Sequence, residues 1–309
     1  MAASRIRYAR LATERANPRS HALDRMTPRA IAALMNREDG RAVRAVGRVR
    51  PRIAAAVEMI VAALRRGGRL FFVGAGTSGR LGVLEAAECP PTFGTSRRLV
   101  QALMAGGRGA VFRSREGAED DRAAAGRAVR ARVRRGDVVV GISASGVTPF
   151  VRAALTAARG RGARTVLIAC NAAGRVSRSG SGRSHIQIVP ATGPEVLAGS
   201  TRLKAGTATK LVLNTLTTAS MAGLGRVYGN RMVDLQPRSA KLRERALRLV
   251  AELAGVSRSR ARAALKASRG RVRVAIVMAG SGRSAAEALR ALGAAGGSLR
   301  TALQKLRRK

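Results

Sequence analysis

Leu70-Phe71-Phe72-Val73-Gly74-Ala75-Gly76-Thr77-Ser78-Gly79 is the stretch that decides the architecture. A short, unbroken apolar run ends in a turn rich in glycine and hydroxyls, and a helical stretch carrying Glu85 and Glu88 follows. The pattern recurs at Leu99–Met104, Val138–Ile142, Thr165–Ala169 and Ile186–Val189, each followed by a Gly- or Ser-rich turn or a helical stretch. Continuous rather than alternating apolar strands belong to a sheet covered on both faces. The expectation is an α/β fold with a doubly wound, parallel, five-stranded sheet. Ligands of such sheets bind beyond the carboxyl ends of the strands, so the segments just after each run carry the functional interest.

Outward from this core, residues 1–65 read as an N-terminal helical arm. Thr27 caps a helix with Pro28 at its first position and Ile31, Leu34 and Met35 on one face. Pro51 to Leu64 is a second amphipathic helix, with Ile53, Val57, Ile60, Val61 and Leu64 inward. Residues 66–235 form the sheet domain. Residues 236–309 are helical and Arg-rich, with helices at Lys241–Ala254, Ser257–Ser268 and Ser284–Leu292. Val272–Met278 fits a strand as well as a helix, and the basic tail Leu299–Lys309 reads as a solvated helix end.

Composition narrows the function. With 46% hydrophobic residues in 309, a packed core is expected, built from Ala, Val, Leu and Ile because aromatics are only 2%. No apolar run is long enough to span a bilayer, and no apolar stretch follows Arg5, Arg7 and Arg10 as a secretory signal requires. Two lone cysteines, Cys89 and Cys170, make no disulfide framework and fit a reducing cytoplasm. The net charge is +42, from 59 basic and 17 acidic residues, and only six of the basic residues are Lys. Two readings of that charge stand open. Nucleic-acid binding needs clustering and aromatic stacking platforms, whereas here Arg is spread along the whole chain and aromatics are scarce. A general bias toward Arg, Ala and Gly accounts for the spread more simply. Either way, a positive field attracts an anionic substrate such as a sugar phosphate.

The turn Gly74–Gly79 matches the dinucleotide pattern G-x-G-x-x-G. That reading also requires an acid at the end of the second strand to hold a ribose, but Leu103-Met-Ala-Gly-Gly107 has none. The turn is better read as an oxyanion cradle, with Thr77 and Ser78 offering hydroxyls at a helix N-terminus; a plain tight turn is the alternative. Ser143, Ser145 and Thr148 repeat the theme after the third strand, with Pro149 opening the next helix. Glu116, Glu119, Asp120 and Asp121 crowd into six residues of a chain poor in acids. Paired carboxylates can divide acid and base duties, although an acidic helix N-terminus explains the cluster equally well. In Gly193–Thr207, Ser200, Thr201 and Lys204 could close on an anion, Glu195 could hold sugar hydroxyls, and a helix is expected from about Ala208 to Leu224. His21 and His185 stand apart from any metal-ligand spacing and read as structural or surface residues, and Cys89 reads as a packed thiol.

Several segments resemble the N-acetylmuramic acid 6-phosphate etherase family: Thr13-Glu-Arg-Ala-Asn-Pro18, Gly74-Ala-Gly-Thr-Ser-Gly-Arg-Leu-Gly82, Ala87-Glu-Cys-Pro-Pro-Thr-Phe-Gly94, Glu116-Gly-Ala-Glu-Asp-Asp121, Ser200-Thr-Arg-Leu-Lys-Ala-Gly-Thr207 and Gly229-Asn-Arg-Met-Val-Asp234. The resemblance covers residues 13–250 and thins beyond. It implies a sugar-isomerase-type (SIS) domain, usually dimeric, with a C-terminal helical module of UBA-like type, and neither metal nor organic cofactor. It also implies two catalytic glutamates, Glu88 and Glu119. The implied reaction is elimination of D-lactate followed by hydration, with Glu119 as base and Glu88 as acid. The sequence departs from the family at Val147, where a polar or basic residue is usual, at Ser143, where Ala is common, and over Gly174–Ser184.

Overall fold

The computed structural model describes residues 11–171, 184–235, 237 and 239–307. The chain divides into two compact units, Met1–Ala86 with Arg98–Thr217, and Ala87–Arg97 with Thr218–Lys309. The unusual connection Gly174–Ser184 lies outside the described residues except for Ser184, as do the first ten residues.

In the first unit, β1 (Leu70–Gly74), β2 (Val100–Met104), β3 (Val138–Ile142), β4 (Arg164–Ile168) and β5 (Ile186–Ile188) form one parallel sheet ordered β2-β1-β3-β4-β5. These are the five apolar runs, to within a residue at each end. β1 and β3 are buried along their whole length, because helices cover both faces. On one face, α4 (Arg122–Arg132) and α5 (Pro149–Gly160) pack against Phe71, Val73, Leu103, Val139 and Leu167. Gly141 permits that approach, since a Cβ there would lie 2.8 Å from side-chain atoms of Val151 and Leu155. On the other face lies α3 (Gly76–Phe93), where a Cβ on Gly82 would come within 2.8 Å of the Phe72 Cβ. Phe71 and Phe72 thus bury opposite sides of one strand, each contributing about 1.5–3 kcal/mol of apolar burial.

The arm helices follow their sequence signals. α1 (Pro28–Arg48) starts on Thr27, whose hydroxyl accepts from the Ala30 N–H at 3.3 Å. α2 (Arg50–Arg65) buries Ile53, Ile60 and Leu64. From β1 the chain runs to β2 on one side of the sheet and later to β3 on the other. The order therefore reverses between β1 and β3, the place where such sheets open a ligand crevice at their carboxyl ends.

The second unit holds a short hairpin, β6 (Val227–Tyr228) with β7 (Arg231–Met232), and helices α7 (Ala240–Ala254), α8 (Arg258–Ala267), α9 (Val272–Ser281), α10 (Ala285–Ala294) and α11 (Leu299–Arg307). Val272–Met278, ambiguous by pattern, is helical. Val272, Val274, Ala275, Ile276 and Val277 are all buried because α9 sits among the other helices, and a central helix is apolar nearly all round. The basic tail is not a solvated end: Leu299, Ala302 and Leu303 of α11 join the same core. α10 opens with a capping box, and hydrogen bonds from Ser284, followed by Arg283, bring the Glu287 carboxyl down to about 2. Among the described residues, no helix is long and apolar enough to cross a membrane.

Candidate active site

The β1 turn is built by backbone contact. A Cβ on Gly74 would meet the Gly79 nitrogen at 2.7 Å, and one on Gly79 would meet the Gly74 carbonyl oxygen at 2.7 Å. Any side chain at either position would push the start of α3 off the end of β1. Gly76 adds a left-handed φ of +52°. Thr77 and Ser78 follow in the first turn of α3, half-buried, and their hydroxyls make no hydrogen bond to another described residue. The positive end of the helix and two unspent hydroxyls thus lie just past the carboxyl end of β1, beside the reversal in strand order.

Register places the second turn alongside. Gly74 pairs with Ile142, and Ser143 follows directly. The buried Ser143 hydroxyl is the hub of this turn. It accepts from the Gly146 N–H at 3.0 Å and lies 2.8 Å from the Thr148 hydroxyl and 3.3 Å from that of Ser145. Ser143 thus acts as a post that holds the turn in shape, while Ser145 and Thr148 remain partly accessible. Glu119 is tied to the same place through its backbone, its carbonyl accepting from the Phe150 N–H at 2.9 Å. Its side chain is exposed, as is that of Glu116. The acidic cluster divides. Asp121 is the cap of α4, accepting from the Ala124 N–H at 2.7 Å, which is the dipole role weighed for the whole cluster. Glu119 holds no such position. Arg80 escaped the sequence reading. Its guanidinium donates to the carbonyls of Val111 and Ala110 at 2.7 and 2.9 Å, so the first turn's helix supports the segment that leads to Glu119.

The third segment needs correction. The helix expected from Ala208 begins at Lys204, as α6 (Lys204–Gly223). Glu195 starts it from a distance: its two carboxylate oxygens accept from the Lys204 and Ala205 N–H groups, each at 2.9 Å. Burial raises the Glu195 carboxyl, against those two backbone donors and the Lys204 charge. Fully buried and committed to α6, it is placed as a helix cap and not as a holder of sugar hydroxyls. Lys204 is already spent on an anion inside the protein. Its ammonium is buried and paired with the equally buried Glu38 of α1, which also receives the Asn17 amide at 3.0 Å. Burial would raise the Glu38 carboxyl, but hydrogen bonds from Lys204 and Asn17 and the nearby positive charges hold it below its ordinary value. Ser200 and Thr201 are half-buried, with hydroxyls that bond to no other described residue.

The three segments meet. A Cβ on Gly206, in the first turn of α6, would lie 4.0 Å from the Thr77 methyl. Cys170, just past β4, donates its N–H to the Ala144 carbonyl at 2.9 Å and packs with Ala205 and Ala208. Burial pushes its thiol up to about 12, so it is a packing group and not a nucleophile. Beside them, Glu85 of α3 accepts from the Lys210 ammonium at 2.7 Å and from the Thr217 hydroxyl, and Lys210 also donates to Asn214 at 2.6 Å. Sequence spacing could not show that pairing, because Glu85 and Lys210 lie 125 residues apart. Glu88 is exposed on α3 among the residues that group with the second unit. There Cys89 is buried, and Gly94, with a left-handed φ of +61°, would bring a Cβ within 2.6 Å of the Asp234 carbonyl.

This geometry can be set beside known proteins. Residues 52–159 match the model of the glucokinase regulatory protein N-terminal SIS domain, and residues 121–219 match that of the SIS domain. A Gloeobacter violaceus protein named N-acetylmuramic acid 6-phosphate etherase is 52% identical over 303 residues, 96% of each chain. Those of Geobacillus thermodenitrificans (52% over 269 residues, 87% of this chain and 90% of its own) and Mycolicibacterium smegmatis (51% over 294 residues, 95% and 97%) carry the same name. The chain belongs to the N-acetylmuramic acid 6-phosphate etherase family. In this family member, the remaining candidates are structural. His185 accepts from the Thr165 N–H at 3.1 Å, and burial together with Arg164 and Arg159 lowers its imidazole. The exposed His21 has a ring nitrogen 2.9 Å from the Pro18 carbonyl oxygen. Among the described residues, no three His, Cys, Asp or Glu side chains stand together as metal ligands.

Proposed function

We propose that this etherase-family chain is a carbon–oxygen lyase that removes D-lactate from N-acetylmuramic acid 6-phosphate, giving N-acetylglucosamine 6-phosphate. The observation that carries the substrate class is the meeting of two hydroxyl-bearing turns with the start of α6 at the strand-order reversal. Thr77, Ser78, Ser145, Thr148, Ser200 and Thr201 supply hydroxyls there, with Ser143 shaping the second turn. Lys204 and Glu195 act behind them by fixing α6. In the open-chain sugar the C2 proton is acidic because it adjoins the aldehyde. Glu119 takes that proton, the C3–O bond breaks, and Glu88 protonates the departing lactyl oxygen. Water then adds its oxygen to C3 and a proton to C2 of the unsaturated aldehyde. The division requires one carboxyl protonated and the other ionised together.

Residues 66–235 are the catalytic domain in this proposal, between the helical arm and the C-terminal module, and the setting is cytoplasmic cell-wall sugar recycling. The purified protein should release D-lactate from N-acetylmuramic acid 6-phosphate equally with and without a chelator. Well-folded protein that releases none would refute the reading. The chain is also proposed to form a homodimer, because Val43, Leu84, Phe112 and Leu197 of the first unit are exposed, Phe112 by 90%. Sedimentation at micromolar concentration should give twice the chain mass of 32.3 kDa; a monomer at all concentrations would exclude it.

A further inference from the structure

A groove of about 510 Å³ runs between α4 and α5, a volume within the range of small-ligand sites. Arg122, Gly126 and Arg130, spaced four apart, form one wall, and Arg152 and Thr156 form the other. Three arginines thus line one space, and among the described residues no carboxylate does. Neither Arg122 nor Arg130 is ion-paired among the described residues. A second groove of similar size in the other unit, beside Arg231, Arg245 and Arg248, differs on this point, because Glu252 lines it and pairs with Arg231. Gly126 has a clear use in the first groove. A Cβ there would lie 3.0 Å from an Arg130 guanidinium nitrogen, so the missing side chain lets that group lie along the helix, inside the groove. Glycine in a helix interior costs about 0.5–1 kcal/mol relative to alanine, and here it makes room for a cation.

The groove also touches the turn that follows β3. Arg152 donates through Nε to the Gly146 carbonyl at 3.1 Å, and Val147 lines the groove end. We propose that this groove is a second anion site, taking a phosphate dianion, whether free or as a phosphate monoester, and that its occupant steadies the turn of Ser143, Ser145 and Thr148 through Arg152. Arginine forks suit phosphate oxygens in pairs, and a dianion among three of them needs no other counter-charge.

The test is calorimetric titration of the full chain with inorganic phosphate and, separately, with glucose 6-phosphate. Wild type should bind at two sites per chain for at least one of these probes. Arg122→Ala/Arg130→Ala should lose one site or weaken it about tenfold. Arg260→Ala/Arg262→Ala on α8 removes the same charge and should keep both. Ser145→Ala/Thr148→Ala should weaken only the strand-end site, so a failure there leaves the groove measurable. Whichever probe is lost in the groove variant identifies free phosphate or monoester as the ligand. Equal losses in the α4 and α8 variants would reduce the effect to bulk charge and overturn the proposal, as would unchanged binding in the α4 variant. Circular dichroism checks folding, and Arg130→Gln on this exposed side chain replaces the double variant if that one unfolds.

Discussion

Glu119→Gln is expected to lower D-lactate release by about two to four orders of magnitude, the usual contribution of a positioned general base. The substitution keeps the shape of the side chain and does not touch the backbone carbonyl that receives the Phe150 N–H. The segment should therefore stay in place while the proton acceptor is lost. The decisive readout is exchange of the C2 proton with solvent deuterium. A base at Glu119 makes that exchange vanish together with product. Glu88→Gln should behave differently, suppressing lactate release while leaving C2 exchange measurable, because it removes the acid that assists C3–O cleavage and not the base. Asp121→Asn gives the internal control. Asp121 caps α4, so its loss should cost at most about 1 kcal/mol of stability with little change in rate. Turnover by Glu119→Gln within tenfold of the parent would show that another group takes the proton.

Local signals made the sheet readable. Each strand is an unbroken apolar run that ends in a turn, and burial on both faces is what such a run requires. The two hydroxyl turns were legible for the same reason, since a loop after a strand of this kind lies at the carboxyl edge. What remained hidden depends on partners far along the chain. α6 begins four residues before the expected Ala208 because Glu195, nine residues upstream of Lys204, caps it, and no local rule finds a cap at that distance. The amphipathic tail looked solvated because its arginines dominate the pattern, yet Leu299, Ala302 and Leu303 are enough to hold one face in a core. Lys204 looked like an anion ligand because a lysine amid Ser, Thr and Gly invites that reading. Its partner, Glu38, is 166 residues away.

Lys204 carries the second large effect. Lys204→Met leaves Glu38 buried, at 1% exposure, without its buried cation and with only the partly exposed Arg41 Nε, 3.2 Å from its other oxygen, as counter-charge; breaking a buried pair by removing one member costs about 3–5 kcal/mol, an upper bound here. The urea midpoint at pH 7 should fall accordingly. Lys204→Met with Glu38→Gln removes the stranded charge as well and should recover much of the loss. A fit by contact with anion alone predicts the opposite pattern: an unchanged midpoint and a weakened substrate affinity. The pH dependence adds a sign that packing defects do not share. In the parent chain the Glu38 carboxyl is held below its ordinary value of 4.5, so its stabilisation is complete above that value and fades as pH falls through the lowered one. Without Lys204, only the Asn17 amide and the Arg41 guanidinium oppose burial, so the carboxyl should titrate higher than in the parent. The single variant should then gain stability relative to the parent as pH drops from 7 toward 5, since protonation neutralises the stranded charge. A deficit that stays constant over that range would mean the ion pair contributes shape and not charge. The same pair links the arm to the first turn of α6, beside Thr201 and Gly206, so a loosened α6 should also raise the KM of the double variant while its kcat stays near the parent value.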